Sequence, residues 1–257
     1  MTGWTRDLAT RFPKHYETLR GVVRQTLVDR QLAEHLVGSP ARICDVGGGA
    51  GHQALPLARR GYEVTILDQS EEMLRIVRRA LDSEDEKVRD RVRLVPGPGE
   101  KAPDILERES FDAVLCHGVL MYLEDPAPLV GTLADIARSG ALISILTKNA
   151  DSLAMRPALE GRYRDALAAF DSDRDTGRLG VENRAHTVAG ISEMLEEHGV
   201  GIEQWSGVRI FTDHLGDQEP GADLPELLEA EWEAGRRDPY RSMARLIHVL
   251  GRKKPVG

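Results

Sequence analysis

Two hydrophobic periods alternate along the first 150 residues. Short apolar runs of strand length lie at 42–46, 62–68, 92–95, 111–117 and 141–147, and the stretches between them carry apolar residues three or four apart. The runs predict buried strands, and the intervening stretches predict helices at 53–60, from 70 through 77 on to about 90, and at 129–137. Ahead of them, Leu8, Phe12, Tyr16, Leu19, Val22, Val23, Leu27, Leu32 and Leu36 keep helical spacing from residue 5 to about 38, with Pro13 as an interruption. This reads as a helical layer over one side of a sheet. Strand and helix alternating across 41–147 argue for a parallel sheet covered on both faces, with a binding crevice over the strand ends.

The alternation breaks at 150–185, which mixes both charge signs with turn formers and is expected to be a surface insertion or a substrate-facing lid. It resumes with an amphipathic helix over 187–195, strands at 200–205 and 207–211, and a helix over 224–232. Residues 217–233 carry seven acids and no Lys or Arg, whereas 234–257 carry seven Lys or Arg against the single acid Asp238. Either the two segments pair, or Arg236, Arg237, Arg241, Arg245, Arg252, Lys253 and Lys254 form a basic rim for phosphates.

Composition narrows the class. A chain of 257 residues, 41% hydrophobic, can bury a large core as one domain, 1–257, with a helical cap over 1–38. No apolar run approaches the roughly 20 residues that span a bilayer, and the first residues lack the apolar segment of a secretory signal, so a cytoplasmic protein without membrane attachment is expected. Cys44 and Cys116 both sit in strand-like runs and read as buried free thiols, not as a disulfide or a metal pair. The net charge of −8 argues against a generally basic nucleic-acid coat and leaves room for a local basic face.

The candidate chemistry gathers at strand ends. Arg42-Ile43-Cys44-Asp45-Val46 runs into Gly47, Gly48, Gly49 and Gly51 and then into a helix. Glycine there permits positive φ and lets a ligand touch the backbone, and the following helix start offers N–H groups to an anion. The next strand ends in Asp68, 17 residues beyond Gly51, near the spacing at which a doubly wound fold presents a carboxylate to ribose hydroxyls. Ser70 fits the helix cap better than Asp68 does. A dinucleotide fingerprint beginning at Gly47 would need glycine at 52, where His52 stands. The D-x-G-x-G-x-G spacing from Asp45 to Gly51 instead resembles motif I of class I S-adenosylmethionine (SAM)-dependent methyltransferases. In that reading the Pro96-to-Glu100 loop borders the adenine, with Glu100 accepting from its amino group. His117, at the end of the fourth strand, is placed to line the same crevice. Its ordinary basicity near neutrality permits a cofactor contact or a base.

Beyond the glycine loop, nearly the whole chain resembles the bacterial tRNA 5-carboxymethoxyuridine methyltransferase family. The stretches that carry this are Val22-Val23-Arg24-Gln25-Thr26-Leu27, residues 206–215 from Ser206 through Arg209 to Leu215, Asp238-Pro239-Tyr240, and Ala244-Arg245-Leu246-Ile247-His248-Val249. The resemblance implies a Rossmann-like α/β fold, mostly a parallel seven-stranded sheet with helices on both faces. It implies SAM as cofactor and cofactor contacts at Arg24, Gly47, Gly48, Asp68, Gly99, Glu100 and His117, to which the glycine motif adds Asp45 and Gly49. Pattern alone would have left Arg24 a solvated arginine. The turn before the fifth strand, Arg138-Ser139-Gly140, and Thr147-Lys148 after it depart from the family pattern. The implied acceptor is the carboxylate of a modified wobble uridine in tRNA, so tRNA is the expected partner.

A carboxylate is already ionised near neutral pH, so no general base and no metal is required, and no catalytic residue is assigned. Lys148, Arg209 and Arg245 are the candidate cations for an anionic acceptor. The competing readings are a small-molecule O- or N-methyltransferase on the same scaffold and a non-catalytic SAM- or RNA-binding module.

Overall fold

The computed structural model describes residues 16–176 and 182–255. The expectations for Leu8, Phe12 and Pro13 lie outside the described residues. Thr18 opens the first helix, α1 (Leu19–His35), by accepting from the Gly21 N–H, and Val23, Leu27, Val28 and Leu32 are its buried face. There follow β1 (Arg42–Val46), α2 (Ala54–Arg59), β2 (Glu63–Asp68), α3 (Glu71–Asp82), α4 (Glu86–Arg89), β3 (Val92–Pro96), α5 (Ala102–Ile105) and β4 (Phe111–His117). Then come α6 (Ala127–Ile136), β5 (Ala137–Lys148), α7 (Met155–Leu159), α8 (Tyr163–Ala169), β6 (Arg174–Thr176), β7 (Glu182–Arg184), α9 (Val188–Glu196), β8 (Val200–Val208), α10 (Leu224–Ala234) and β9 (Leu246–Lys253).

Seven strands form one sheet in the order β3-β2-β1-β4-β5-β9-β8. The first five are mutually parallel, and β9 runs antiparallel to both its neighbours. The order reverses between β1 and β4, which opens the crevice at their C-terminal ends. Side chains alternate across the sheet. Ile43, Ala113, Leu115, Leu142, Leu146, Leu246 and Leu250 face α1, α2 and α10; Cys44, Val114, Cys116, Ile143, Ile145, Ile247 and Val249 face α5, α6 and α9. Both cysteines are free and buried, as expected.

One expected element needs correction. The second late strand, 207–211, is not a strand: β8 takes in 200–208, and Arg209 then adopts φ 64°. The chain leaves the sheet because the Glu231 carboxylate of α10 accepts from the backbone N–H groups of Ile210, Phe211 and Thr212 at 2.8, 3.0 and 3.1 Å. The seventh strand is instead β9, whose apolar run Leu246-Ile247-His248-Val249-Leu250 inserts between β5 and β8. The described residues of 150–185 hold α7, α8 and the antiparallel pair β6 and β7. Among the described residues, no helix is long and apolar enough to cross a membrane.

Candidate active site

A cleft of about 930 Å3, its open mouth included, lies over the ends of β1, β2 and β4. All nine residues expected around the cofactor line it: Arg24, Asp45, Gly47, Gly48, Gly49, Asp68, Gly99, Glu100 and His117. Tyr16, His52 and Tyr122, none of them expected at the site, also line it. Tyr16 stacks on His52 with ring centroids 3.6 Å apart and accepts from Arg24 at 2.7 Å.

The glycine loop is built for close approach. Gly47 has φ 70°, and a Cβ on it would stand 2.4 Å from Val119 Cγ2; a Cβ on Gly48 would stand 2.7 Å from the Asp45 carboxylate. Three of the loop's N–H groups are used inside the fold. Gly47 N–H donates to the Leu67 carbonyl at 2.7 Å, Gly51 N–H to Gly48 at 3.0 Å, and Gly49 N–H to Asp68 Oδ2 at 2.8 Å. With those donors consumed inside the fold and two carboxylates beside them, the floor of the cleft suits a cation.

Asp68 also accepts from Ser70 N–H through Oδ1 at 2.8 Å, while the Ser70 side chain caps α3 by accepting from Met73 N–H. Each Asp68 oxygen thus retains a lone pair for a further donor. Asp45 is 2% exposed, and its Oδ2 has no hydrogen-bond partner. Burial first, and the nearby Asp68 carboxylate second, push its pKa up to about 7, against an opposing pull from Arg24. A buried acceptor left bare in this way marks where a ligand donor belongs.

His117 is pinned on one side only. Its Nε2 lies 2.8 Å from Ser144 Oγ, which lies 2.7 Å from His248 Nε2, and His248 Nδ1 lies 2.6 Å from Gln31 Oε1. Burial, then His248 and Arg24, hold its pKa well below the ordinary histidine value. That corrects the expectation of near-neutral basicity: the ring is neutral and a poor general base, and its buried Nδ1 has no partner.

The three candidate substrate cations come together, though outside the glycine cleft. Lys148 Nζ donates to Asp175 Oδ2 at 2.9 Å, and Arg245 bonds the same oxygen. Arg209 pairs with Asp213 at 2.7 Å, and Arg245 stands 3.6 Å from that carboxylate. Arg156, which pattern reasoning passed over, lies 3.8 Å from Asp175 and 3.7 Å from Asp213. Backbone bonds set the grouping: Arg245 N–H donates to the Arg209 carbonyl at 3.1 Å, and Asn149 Nδ2 donates to the Ala244 carbonyl at 2.9 Å. Four cations face two acids, Asp175 and Asp213, while the Glu160 carboxylate 3.9 Å from Arg156 is bound more closely by Arg162, at 2.7 Å, so the cluster carries positive charge in excess. Burial, then Arg245, lowers Lys148 to about 8. Arg209 is lowered by burial and by several cations, Arg24 of the cleft among them, which joins the two regions electrostatically.

The expected C-terminal rim is largely consumed in the fold. Arg252 pairs with Glu203, Lys253 with Glu109, Arg241 with Asp238, Arg237 with Glu233 and Arg236 with Glu34. Among the described residues, Arg237–Glu233 is the one ion pair that joins the acidic segment to the basic one. The described residues contain no group of three or more His, Cys, Asp or Glu side chains arranged to hold a metal.

A family described as "Methyltransferase domain" matches residues 44–145. The tRNA 5-carboxymethoxyuridine methyltransferase of Escherichia coli (strain K12) is 31% identical over 253 residues, covering 96% of this chain and 95% of its relative. The chain belongs to that family. It is a SAM-dependent methyltransferase of class I. A ubiquinone biosynthesis O-methyltransferase of Xanthomonas campestris pv. campestris (strain B100) is 30% identical over 47% of this methyltransferase and 48% of its own length. Among solved structures, a SAM-dependent methyltransferase from Listeria monocytogenes superposes with TM-score 0.62 at 18% identity, covering 91% of this chain and 99% of the other. That likeness supports the fold.

Proposed function

We propose that this methyltransferase esterifies a carboxylate, and that its acceptor is 5-carboxymethoxyuridine in tRNA. One observation carries the reading: Lys148, Arg156, Arg209 and Arg245 outnumber the two acids they share, Asp175 and Asp213, which leaves positive charge for an anionic acceptor. The name of the full-length Escherichia coli relative supports it. The nine residues around the glycine loop are assigned to SAM. Asp68 receives the ribose hydroxyls on its spare lone pairs, Glu100 the adenine amino group, and Asp45 with His117 the donors of the methionine end. The acidic floor, the bare Asp45 Oδ2 and the closely packed Gly47 and Gly48 fit a cationic ligand with a polar tail.

When bound, SAM supplies an electrophilic methyl on sulfur; the acceptor oxygen bonds to that carbon as the C–S electron pair returns to sulfur. The protein's residues bind and align. Arg209 and Arg245 hold the carboxylate without protonating it, and His117, neutral, takes no proton from it. Alignment of this kind contributes about 7–11 kcal/mol to lowering a barrier. Incubation with methyl-labelled SAM and tRNA bearing 5-carboxymethoxyuridine is expected to give label that base releases; tRNA that stays unlabelled while SAM binds would refute the acceptor.

A small-molecule O- or N-methyltransferase is the second reading. It draws on the C-terminal cations, which are paired within the fold instead of forming a free track for phosphates. Label appearing in a metabolite fraction and not in RNA would select it.

A further inference from the structure

Ser144 and His248 are polar positions on the sheet face that also carries Ile43, Ala113, Leu115, Leu142, Leu146 and Leu250, and both are essentially sealed from solvent, as is Gln31 on the covering helix α1. Such groups are tolerated when every polar atom is satisfied. Here the chain of contacts ends at His117 Nδ1, which is buried and has no partner. We propose that Gln31, Ser144 and His248 are positioning residues that hold His117 as its Nε2–H tautomer, so that the Nδ1 lone pair is presented to an N–H donor of the bound cofactor.

The order of protons follows from the partners. Gln31 Oε1 is a carbonyl oxygen and can only accept, so the proton in its 2.6 Å contact sits on His248 Nδ1. A neutral His248 then has a bare Nε2, which takes the Ser144 hydroxyl proton across 2.7 Å. With its proton committed, Ser144 Oγ accepts from His117 Nε2–H across 2.8 Å. Both imidazoles stay neutral because burial, before any neighbouring charge, lowers their pKa values, that of His248 to about 3. The opposite order would end in an Nδ1–H directed at a cationic ligand. Gln31 thus sets, through two intermediaries, the hydrogen-bond character of a cleft wall it does not touch.

The lone-pair assignment rests on the cofactor reading above, whereas the tautomer does not, so the two are tested separately. In ligand-free protein, 15N–1H correlation of the histidine rings is expected to show His117 with a protonated Nε2 and a bare Nδ1; a protonated Nδ1 overturns the proposal. Binding of S-adenosylhomocysteine by calorimetry is then compared across Ser144→Ala, Gln31→Met and Gln31→Glu. The first two are expected to weaken binding about tenfold, the size of one charge-assisted hydrogen bond, with KM for SAM rising more than kcat falls. Gln31→Glu keeps an acceptor opposite His248 and is expected to retain most of the affinity. Wild-type affinity in both Ser144→Ala and Gln31→Met overturns the coupling. Should wild type itself fail to bind while the tautomer is as expected, the cofactor reading fails and the ordered chain stands.

Discussion

Asp45 couples cofactor binding to pH with a sign that can be worked out. Its carboxyl half-ionises at about 7 in the ligand-free fold, against an ordinary value of 3.8. Because the folded value is the higher, the folded chain binds the extra proton between those limits. Stability from this group is therefore fully present below about pH 3.8, falls as pH rises, and is lost above about 7. Keeping the carboxylate ionised in that site at pH 8 costs the ligand-free protein about 4 kcal/mol. A bound sulfonium and ammonium favour the ionised form, so binding below pH 7 expels a proton, and apparent affinity falls about tenfold per pH unit there. The perturbation is Asp45→Asn, which keeps shape and removes the titration. Urea unfolding at pH 5, 6, 7 and 8 should show the variant gaining on wild type as pH rises, by roughly 1–3 kcal/mol at pH 8 once the buried amide's own cost is deducted. Calorimetry in buffers of different ionisation enthalpy should show close to one proton released at pH 6 by wild type beyond that released by the variant. The ligand's own titration is common to both proteins and cancels. Equal pH slopes for the two proteins, in stability and in binding, would refute the argument.

Other changes separate the parts of the site. Gly47→Ala places a methyl group at φ 70° and 2.4 Å from Val119 Cγ2; a loss of about 1–3 kcal/mol in stability or of detectable SAM binding is expected, by thermal unfolding and calorimetry. Arg245→Met should leave S-adenosylhomocysteine affinity within about threefold and lower methyl transfer to the acceptor at least about tenfold, in a labelled-methyl assay. Wild-type KM for an anionic acceptor should rise above about pH 8, where Lys148 loses its charge and the cluster part of its excess; a flat steady-state profile from pH 7 to 9 would count against the anion site. Glu231→Ala strips the acceptor from three backbone N–H groups and the Thr212 hydroxyl, so a loss of about 2–4 kcal/mol is expected, with weakened acceptor binding as Arg209 loses its support.

The first 150 residues were legible as sequence because their information is local. Strand-length apolar runs, helical spacing and glycines at turns each reflect contacts within a few residues, and the parallel sheet and the cleft over its strand ends follow from them; Arg24, which pattern alone left solvated, came only from the family resemblance. The C-terminal half was less legible. Strand β9 is an apolar run whose place between β5 and β8 depends on pairing with strands about 100 and 45 residues earlier in the chain. The break after Val208 depends on Glu231, a carboxylate buried by a later helix. What sequence by itself determined is the methyl-donor end: a glycine loop must be glycine wherever backbone and ligand meet, and that requirement is written residue by residue. What only the tertiary structure decided is charge and proton placement. Burial left Asp45 and His117 bare and Lys148 weakened, turned the supposed basic rim into internal pairs, and set Arg156 beside Arg209 and Arg245. Desolvation and pairing act through space, and the order of residues does not record which charges will share a buried site.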